Sequence, residues 1–226
     1  MRSACPHLPV RHHGEGPRRE SAGHAPFHRC SHLCERQSTH TAQEEEFRVK
    51  KAEQRRADIL NGLADHILAE GLSASSVRPL AEAVGISDRM LLYYFRDKSE
   101  LIAATLALLS SRLTAALDAH TASKPMPLEA VRRRLAAVLL SDEVWPYMQL
   151  WLEIVALSAR GDPFYRELGG SIARAFLDWG KAQLQASTAA THAADAARLL
   201  VAIEGMVLLK SVGLEDVANT SLRGSG

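Results

Sequence analysis

Apolar residues recur with the period of an α-helix along most of the chain after residue 46. The first stripe follows the spacing i, i+1, i+4, i+5, i+8, i+9 and consists of Ile59, Leu60, Leu63, Ala64, Ile67 and Leu68. Gly71 comes just after this stripe. Glycine readily adopts the left-handed conformation that ends a helix, so the pattern predicts an amphipathic helix that ends near residue 70.

The next pattern consists of two short apolar segments on either side of a glycine. Ser76 is predicted to cap a helix that runs to Val84, and Gly85 permits a turn. Ser87 is predicted to cap a second helix that ends near Phe95. Together these features predict a helix-turn-helix motif, whose second helix enters the major groove of DNA.

The remainder of the chain also has helical periodicity. Helices are predicted over residues 101–120, 128–140, 143–160, 164–186 and 193–210. The predicted fold class is all-α, with an N-terminal three-helix helix-turn-helix domain and a C-terminal helical domain. The predicted organisation is a disordered extension over 1–46, the helix-turn-helix domain over 47–97, a second helical domain over 98–212, and a flexible tail over 213–226.

The first 46 residues are unusual in composition. Seven of the ten histidines lie in the first 40 residues, and all three cysteines lie in the first 34. His28, Cys30, His32 and Cys34 are potential zinc ligands. Their strict alternation does not match the usual spacing of zinc ligands, and no second cluster occurs in the sequence. We therefore expect a tail without a metal site, and no cofactor.

The net charge at first argues against a nucleic-acid partner. The chain has 27 basic and 26 acidic residues, a net charge of +1, whereas DNA-binding domains usually have a basic excess. Residues 47–56, however, contain five basic residues and one acid. These cations either face an external polyanion or form a solvated helix start. Affinity for phosphate depends on where the cations lie, so the total does not exclude DNA.

The residues from Ala81 to Leu101 form the pattern A-x3-G-I-S-x3-L-x-Y-Y-F-x-x-K-x-E-L. This pattern resembles the DNA-binding domain of the TetR (tetracycline-repressor-like) bacterial transcriptional regulators, and the similarity extends over about Lys51 to Leu106. The resemblance implies an all-helical homodimer that binds a palindromic DNA operator through three N-terminal helices. It also implies that the C-terminal helical domain, residues 98–212, serves ligand binding and dimerisation, and that a small-molecule effector bound there releases the protein from DNA.

The resemblance also implies a set of residues at the DNA. Residues 87–94 correspond to the recognition helix, and Ser76 and Lys98 to contacts with the DNA backbone. Arg89 has two interpretations, bidentate recognition of guanine or pairing with Asp88 or a phosphate. The predicted DNA-binding residues are Lys51, Ser76, Ser87, Arg89, Met90, Tyr93, Tyr94 and Lys98.

Three of these side chains have a second interpretation. Met90 either contacts a thymine methyl group or faces the core. Tyr93 and Tyr94 have hydroxyls that can bond phosphate, while their rings could instead pack only within the domain. Asp88, Arg89 and Leu92 depart from the residues that are frequent in the family.

All three tryptophans lie in the C-terminal half, among apolar residues at helical spacing. Such a stripe is either core or the wall of a pocket for a mostly apolar small molecule. The predicted ligand-binding residues are Trp145, Met148, Trp151, Glu153 and Phe176. The predicted dimerisation residues, for which packing within one subunit is the alternative, are Phe176, Trp179, Leu199, Ile203 and Met206.

Other classes of protein are less well supported by the sequence. We find no GxGxxG, GxxxxGK[ST], HExxH or GxSxG motif, so we expect no enzyme activity. A helical scaffold protein is the remaining alternative to a regulator. There is no run of about 18 apolar residues and no apolar signal-peptide segment, and cysteine is absent after residue 34. We therefore expect a cytoplasmic protein with no membrane partner.

Overall fold

The computed structural model describes residues 31–121, 124–185 and 188–223, with the side chains of residues 31–44 left out of the description. Nine α-helices occur in these ranges: α1 Ser31–Glu70, α2 Val77–Ala83, α3 Asp88–Tyr94, α4 Lys98–Ala119, α5 Leu128–Leu139, α6 Trp145–Ala159, α7 Pro163–Ala182, α8 Ala189–Ser211 and α9 Glu215–Arg223. A short 3₁₀ turn, Leu72–Ala74, joins α1 to α2. The prediction of an all-α protein is confirmed.

The chain divides into two compact units, Met1–Val49 and Lys50–Gly226. In the first unit, the described part is helical from Ser31, and Phe47 and Val49 are exposed. The prediction of disorder over 1–46 is therefore wrong for residues 31–46, where polar helix formers such as Gln and Glu continue α1 without an apolar stripe. His28 and Cys30 lie outside the described residues.

The second unit contains two apolar cores. One core joins α1, α2, α3 and α4 around Leu63, Leu80, Leu91 and Leu101, and Leu150 and Ile154 of α6 belong to it. The other core lies among α5, α6, α8 and α9 and the end of α4. Because α6 contributes to both cores, packing continues across the predicted boundary at residue 97. That boundary stays a prediction.

Two glycines have the backbone conformation that the sequence predicted for them. Gly71 has φ +75° and Gly85 has φ +66°, both in the left-handed region. At the second turn, the amide of Ile86 donates to the carbonyl of Ala81 over 3.0 Å. This hydrogen bond closes the end of α2, and the left-handed conformation of Gly85 turns the chain into α3.

Helix α1 is fixed against α4 by polar contacts as well as apolar ones. Arg112 donates to Asp65 over 2.6 Å and to Asn61 over 2.8 Å. Arg56 forms an ion pair with Glu100 at 3.3 Å and lies 4.6 Å from the centre of the Phe95 ring. Arg56 is thus a structural residue of the domain and not one of the free cations that the sequence suggested.

Helix α4 is long and apolar enough to cross a membrane by length and composition. Five of its apolar side chains belong to the apolar cores, since Leu101, Ile102, Leu106, Leu109 and Leu117 are buried. Core helices of this kind satisfy the same criteria as membrane spans.

The C-terminal residues differ from the predicted flexible tail. Residues 215–223 form α9, which packs on α8, and Ala218 is fully buried. Gly213, with φ +78°, makes the turn between the two helices. The predicted tail is too short to show a stripe of several turns, so its helix could not be recognised by periodicity.

Adjacent leucines on α3 provide a test of this packing. Leu91 is fully buried, whereas Leu92 is 45% exposed. We expect Leu91→Ala to lower the free energy of unfolding by about 2–5 kcal/mol, because it leaves a cavity in the core. Leu92→Ala should cost less than about 1 kcal/mol. Urea denaturation followed by circular dichroism measures both, and equal losses would contradict the assignment of the buried face.

Candidate functional site

The exposed face of α3 is the first candidate site. Ser87 caps the helix, and its Oγ accepts from the amide of Met90 over 3.3 Å. Leu91 faces the core, so the other side of the helix is turned to solvent. Residues three and four apart share a helix face, and the exposed face therefore contains Arg89, Met90, Leu92 and Tyr93.

The burial and pairing of the side chains on α3 exclude some of the roles that the sequence left open. Met90 is 45% exposed and Tyr93 is 78% exposed, so neither is a core residue. Tyr94 is half-buried, packs on the core and meets the Tyr93 ring edge-on at 5.3 Å between centroids. Arg89 is exposed and forms no hydrogen bond or ion pair within the described part of the chain, so it is not paired with Asp88. Their roles at DNA stay predictions.

The remaining predicted DNA contacts flank α3. Ser76 occupies the N-cap position of α2, is exposed, and makes no capping bond with its hydroxyl. Lys98 is exposed in the first turn of α4, next to the N-cap residue Asp97. Asp97 accepts from the amide of Glu100 over 2.8 Å, and this bond lowers the pKa of its carboxyl group. Lys51 is exposed on α1.

The second candidate site is a cavity of about 100 Å³ among α4, α5, α6, α7 and α8. Its walls are mainly leucine, isoleucine and aromatic side chains. Three of the predicted ligand-binding residues, Met148, Trp151 and Phe176, line it. A mostly apolar cavity with few polar groups is typical of a small-molecule site.

Two of the predicted ligand-binding residues lie elsewhere. Trp145 does not line the cavity, and its ring packs under the ammonium group of Lys210 at 4.5 Å. Glu153 does not line the cavity either. Its Oε2 accepts from the backbone amide of Leu72 over 2.7 Å. Glu153 thus connects α6 to the turn between α1 and α2.

This turn is held at two points. A Cβ at Gly71 would lie 2.4 Å from Oε1 of Glu153, so a larger residue there would displace the carboxylate. Tyr165 of α7 packs against the same apolar core as Leu72. Burial is the main cause of a raised pKa at Tyr165. The helix-turn-helix is therefore attached to two helices that line the cavity.

Glu204 is a functional candidate that the sequence reasoning missed. It lines the cavity, and its Oε2 accepts from Nε1 of Trp151 over 2.8 Å. Burial raises the pKa of its carboxyl group. The sequence contained a signal, because Glu204 is the only charged residue in the run from Leu199 to Leu209.

Three of the predicted dimerisation residues are core residues of the single chain. Leu199, Ile203 and Met206 are buried to 3% exposure or less. Phe176 and Trp179 are half-buried and stacked on each other at 5.6 Å, and Trp179 donates to Asp118 over 2.7 Å. The exposed apolar face of α8 consists instead of Val201, Gly205, Leu208 and Val212.

No group of three or more potential metal ligands occurs among the residues that the structure describes.

Two of the three arginines of α5 form contacts within the chain. Arg132 pairs with Glu129 at 3.1 Å and donates to the carbonyl of Ser221, and Arg134 donates to the carbonyl of His120.

The geometry defines an all-helical helix-turn-helix protein with a cavity in a second group of helices. Residues 59–105 match the sequence profile of the family described as "Bacterial regulatory proteins, tetR family". This match supports a TetR-type DNA-binding domain over these residues, and members of the family are DNA-binding transcriptional regulators. No curated protein sequence gives a significant match.

Solved structures of transcriptional regulators share the fold. A regulator from Rhodococcus sp. Rha1 is 20% identical, with a TM-score of 0.58 over 74% of this chain and 91% of the other. A regulator from Streptomyces coelicolor A3(2) is 24% identical, with a TM-score of 0.54 over 74% and 97%. EbrR, described as a multidrug binding protein complexed with imidazole, is 20% identical, with a TM-score of 0.54 over 75% and 93%.

The contact between Glu153 and Leu72 can be tested by a pair of variants. Glu153→Ala leaves the amide of Leu72 without its partner, and we expect a loss of about 1–3 kcal/mol in the free energy of unfolding. Glu153→Gln keeps an oxygen acceptor and should lose less. Chemical denaturation provides the measurement, with Glu167→Gln, an exposed change on α7, as the control. Unchanged stability of Glu153→Ala would show that the contact has no structural role.

Proposed function

We propose that the protein is a ligand-responsive repressor that binds a palindromic operator as a dimer and is released by a small, mostly apolar effector. The observation that carries this proposal is the exposed face of α3, with an arginine that has no partner among the described residues and three neighbouring apolar or aromatic side chains. A helix-turn-helix buries the other side of its recognition helix and leaves such a face for base edges. An enzyme or a scaffold has no need of this arrangement.

The side chains of this face suit different parts of the major groove. Arg89 has the donor fork that fits guanine O6 and N7, and Met90 provides an apolar contact for a thymine methyl group. Tyr93 has a hydroxyl suited to a phosphate. Ser76, Ser87, Tyr94, Lys51 and Lys98 complete the proposed surface, in which the two lysines act on the sugar–phosphate backbone. Positioning would come from the backbone contacts and discrimination from Arg89 and Met90.

We propose the exposed stripe of α8 as the centre of the dimer interface. Val201, Gly205, Leu208 and Val212 follow the spacing i, i+4, i+7, i+11 and so share one face of the helix. Gly205 has no atom within 4 Å of a Cβ position, which leaves room for a second helix to approach closely. A two-fold dimer would present two α3 helices to half-sites about 34–36 Å apart.

The effector would occupy the cavity lined by Met148, Trp151 and Phe176. The neighbour EbrR is described as a multidrug binding protein, which is consistent with this fold accommodating small organic molecules. Trp151 and Ile154 line the cavity on either side of Glu153, which bonds the α1–α2 turn. A ligand that moves α6 would therefore act directly on the helix-turn-helix. A DNA-binding protein of this kind would work in the cytoplasm.

DNA footprinting on the region just upstream of the protein's own gene tests the repressor proposal. Arg89→Ala is expected to weaken operator binding by about 1–3 kcal/mol and to relax base preference at one position, because it removes a bidentate contact. Lys98→Ala should weaken binding to all sequences and reduce the slope of log K against log salt by about 1. Fluorescence anisotropy at several salt concentrations measures both effects.

Arg133→Ala is the matched control, since Arg133 is exposed on α5, outside the proposed surface. It should leave the affinity for the operator unchanged. A loss of affinity in this variant equal to that of Arg89→Ala would contradict the assignment of α3. The absence of sequence-specific, salt-sensitive binding at this and neighbouring promoters would overturn the repressor proposal.

The dimer is tested by placing a charge on the exposed stripe. Val201 is 72% exposed in the single chain, so Val201→Glu should leave its fold intact. In a dimer it would bury a carboxylate, and we expect the variant to be monomeric and to bind the operator weakly. Analytical ultracentrifugation gives the mass, and Val155→Glu, at an exposed apolar position of α6, is the control. A dimeric Val201→Glu protein would place the interface elsewhere.

A further inference from the structure

Glu204 is an acidic residue in an otherwise apolar cavity. Of the residues that line this space, it is the only carboxylate, and none is a lysine, arginine or histidine. It forms no ion pair within the described ranges 31–121, 124–185 and 188–223. An acid in such a place loses part of its hydration without gaining an opposite charge.

The hydrogen bonding of Glu204 is incomplete. Trp151 donates to Oε2 over 2.8 Å, and Oε1 has no partner in the described part of the chain. A carboxylate can accept several hydrogen bonds, so acceptor capacity remains unused at the cavity wall. The indole fixes the carboxyl group from one side and leaves the other side for a ligand.

The rest of the cavity suits an aromatic or short aliphatic group. Tyr147, Trp151 and Phe176 provide aromatic surface, and Leu109, Ile172 and Ile203 provide aliphatic surface. Aromatic faces also attract cations, so they reinforce the preference set by the carboxylate. The volume of about 100 Å³ restricts the ligand to a small molecule.

We propose that the effector is a small organic cation, an apolar body with one protonated amine that pairs with Glu204. This inference rests on the proposed function, because it names the chemical class of the ligand for the same cavity. An anion would be repelled by the carboxylate. A neutral hydrocarbon would fill the space but leave Oε1 without a partner, whereas an ammonium group satisfies both the charge and the hydrogen bond.

Three probes of nearly equal shape separate these cases on the unchanged, full-length protein. Benzylamine is a cation at neutral pH, benzyl alcohol is neutral, and benzoate is an anion. We expect benzylamine to bind about tenfold more tightly than benzyl alcohol, because its hydrogen bond to Glu204 is charge-assisted, and benzoate to bind least. Isothermal titration calorimetry measures the three dissociation constants.

The variant Glu204→Gln assigns the preference to the carboxylate. Glutamine keeps the size of the side chain and an oxygen for the indole of Trp151, but it removes the charge. Benzylamine and benzyl alcohol should then bind with similar affinity. The matched control is Glu167→Gln on the exposed surface of α7, which should keep the preference for the cation.

Equal affinity for the three probes, a preference for benzyl alcohol or benzoate, or no binding of benzylamine would overturn the proposal. A cation preference that persists in Glu204→Gln would overturn it as well. The ranking on the unchanged protein decides the question even if this variant does not fold. Operator binding is measured in the same samples, so binding of benzylamine without release of DNA would support the ligand class and contradict release by such an effector.

Discussion

The hydrogen bond from the amide of Leu72 to Glu153 is the contact on which the arrangement of the two functional regions depends. It satisfies a backbone donor just after the end of α1 with a carboxylate from α6. Gly71 is required beside it twice, for its positive φ and for the close approach of the carboxylate. Because Trp151 and Ile154 on the same helix line the cavity, one rigid element carries both the cavity wall and the support of the helix-turn-helix.

The exposed face of α3 is a consequence of how the small N-terminal core is built. The two short helices around Gly85 can bury only one side each, and Leu80, Leu91 and Phe95 fill that side. Arg56, which the sequence placed among free cations, is needed to join Phe95 and Glu100. The basic residues of this domain therefore have different roles. Arg56 holds the domain together, whereas Lys51, Arg89 and Lys98 are exposed.

Helical periodicity was sufficient to predict the fold, because it depends only on which side chains avoid water. It predicted the helix ends at Gly71 and Gly85, but it placed Leu92 on the internal face together with Leu91, and Leu92 is 45% exposed. It also could not say what covers a buried face. Leu199 and Ile203 were assigned to a dimer interface, yet they pack within one chain. The sequence could not indicate the role of Glu153 either, because its hydrogen-bond partner is 81 residues away along the chain. Glu204 was visible as a lone acid in an apolar run, and its indole partner was not.

A ligand in the cavity can shift the protein between two arrangements only if it binds one of them more tightly. Two side chains on α6 form hydrogen bonds in opposite directions, one to the cavity wall and one to the α1–α2 turn. Trp151 donates to Glu204 on α8, while Glu153, two residues further along α6, accepts from the α1–α2 turn. A ligand that pairs with Oε1 of Glu204, beside the indole, would add a contact where α6 meets α8, while the α1–α2 turn holds α6 from its other side. Coupling free energies between sites are typically about 1–3 kcal/mol, which is comparable to one such buried hydrogen bond. Under the proposed function, a single polar contact on each side of α6 would be enough to link occupancy of the cavity to the position of α3.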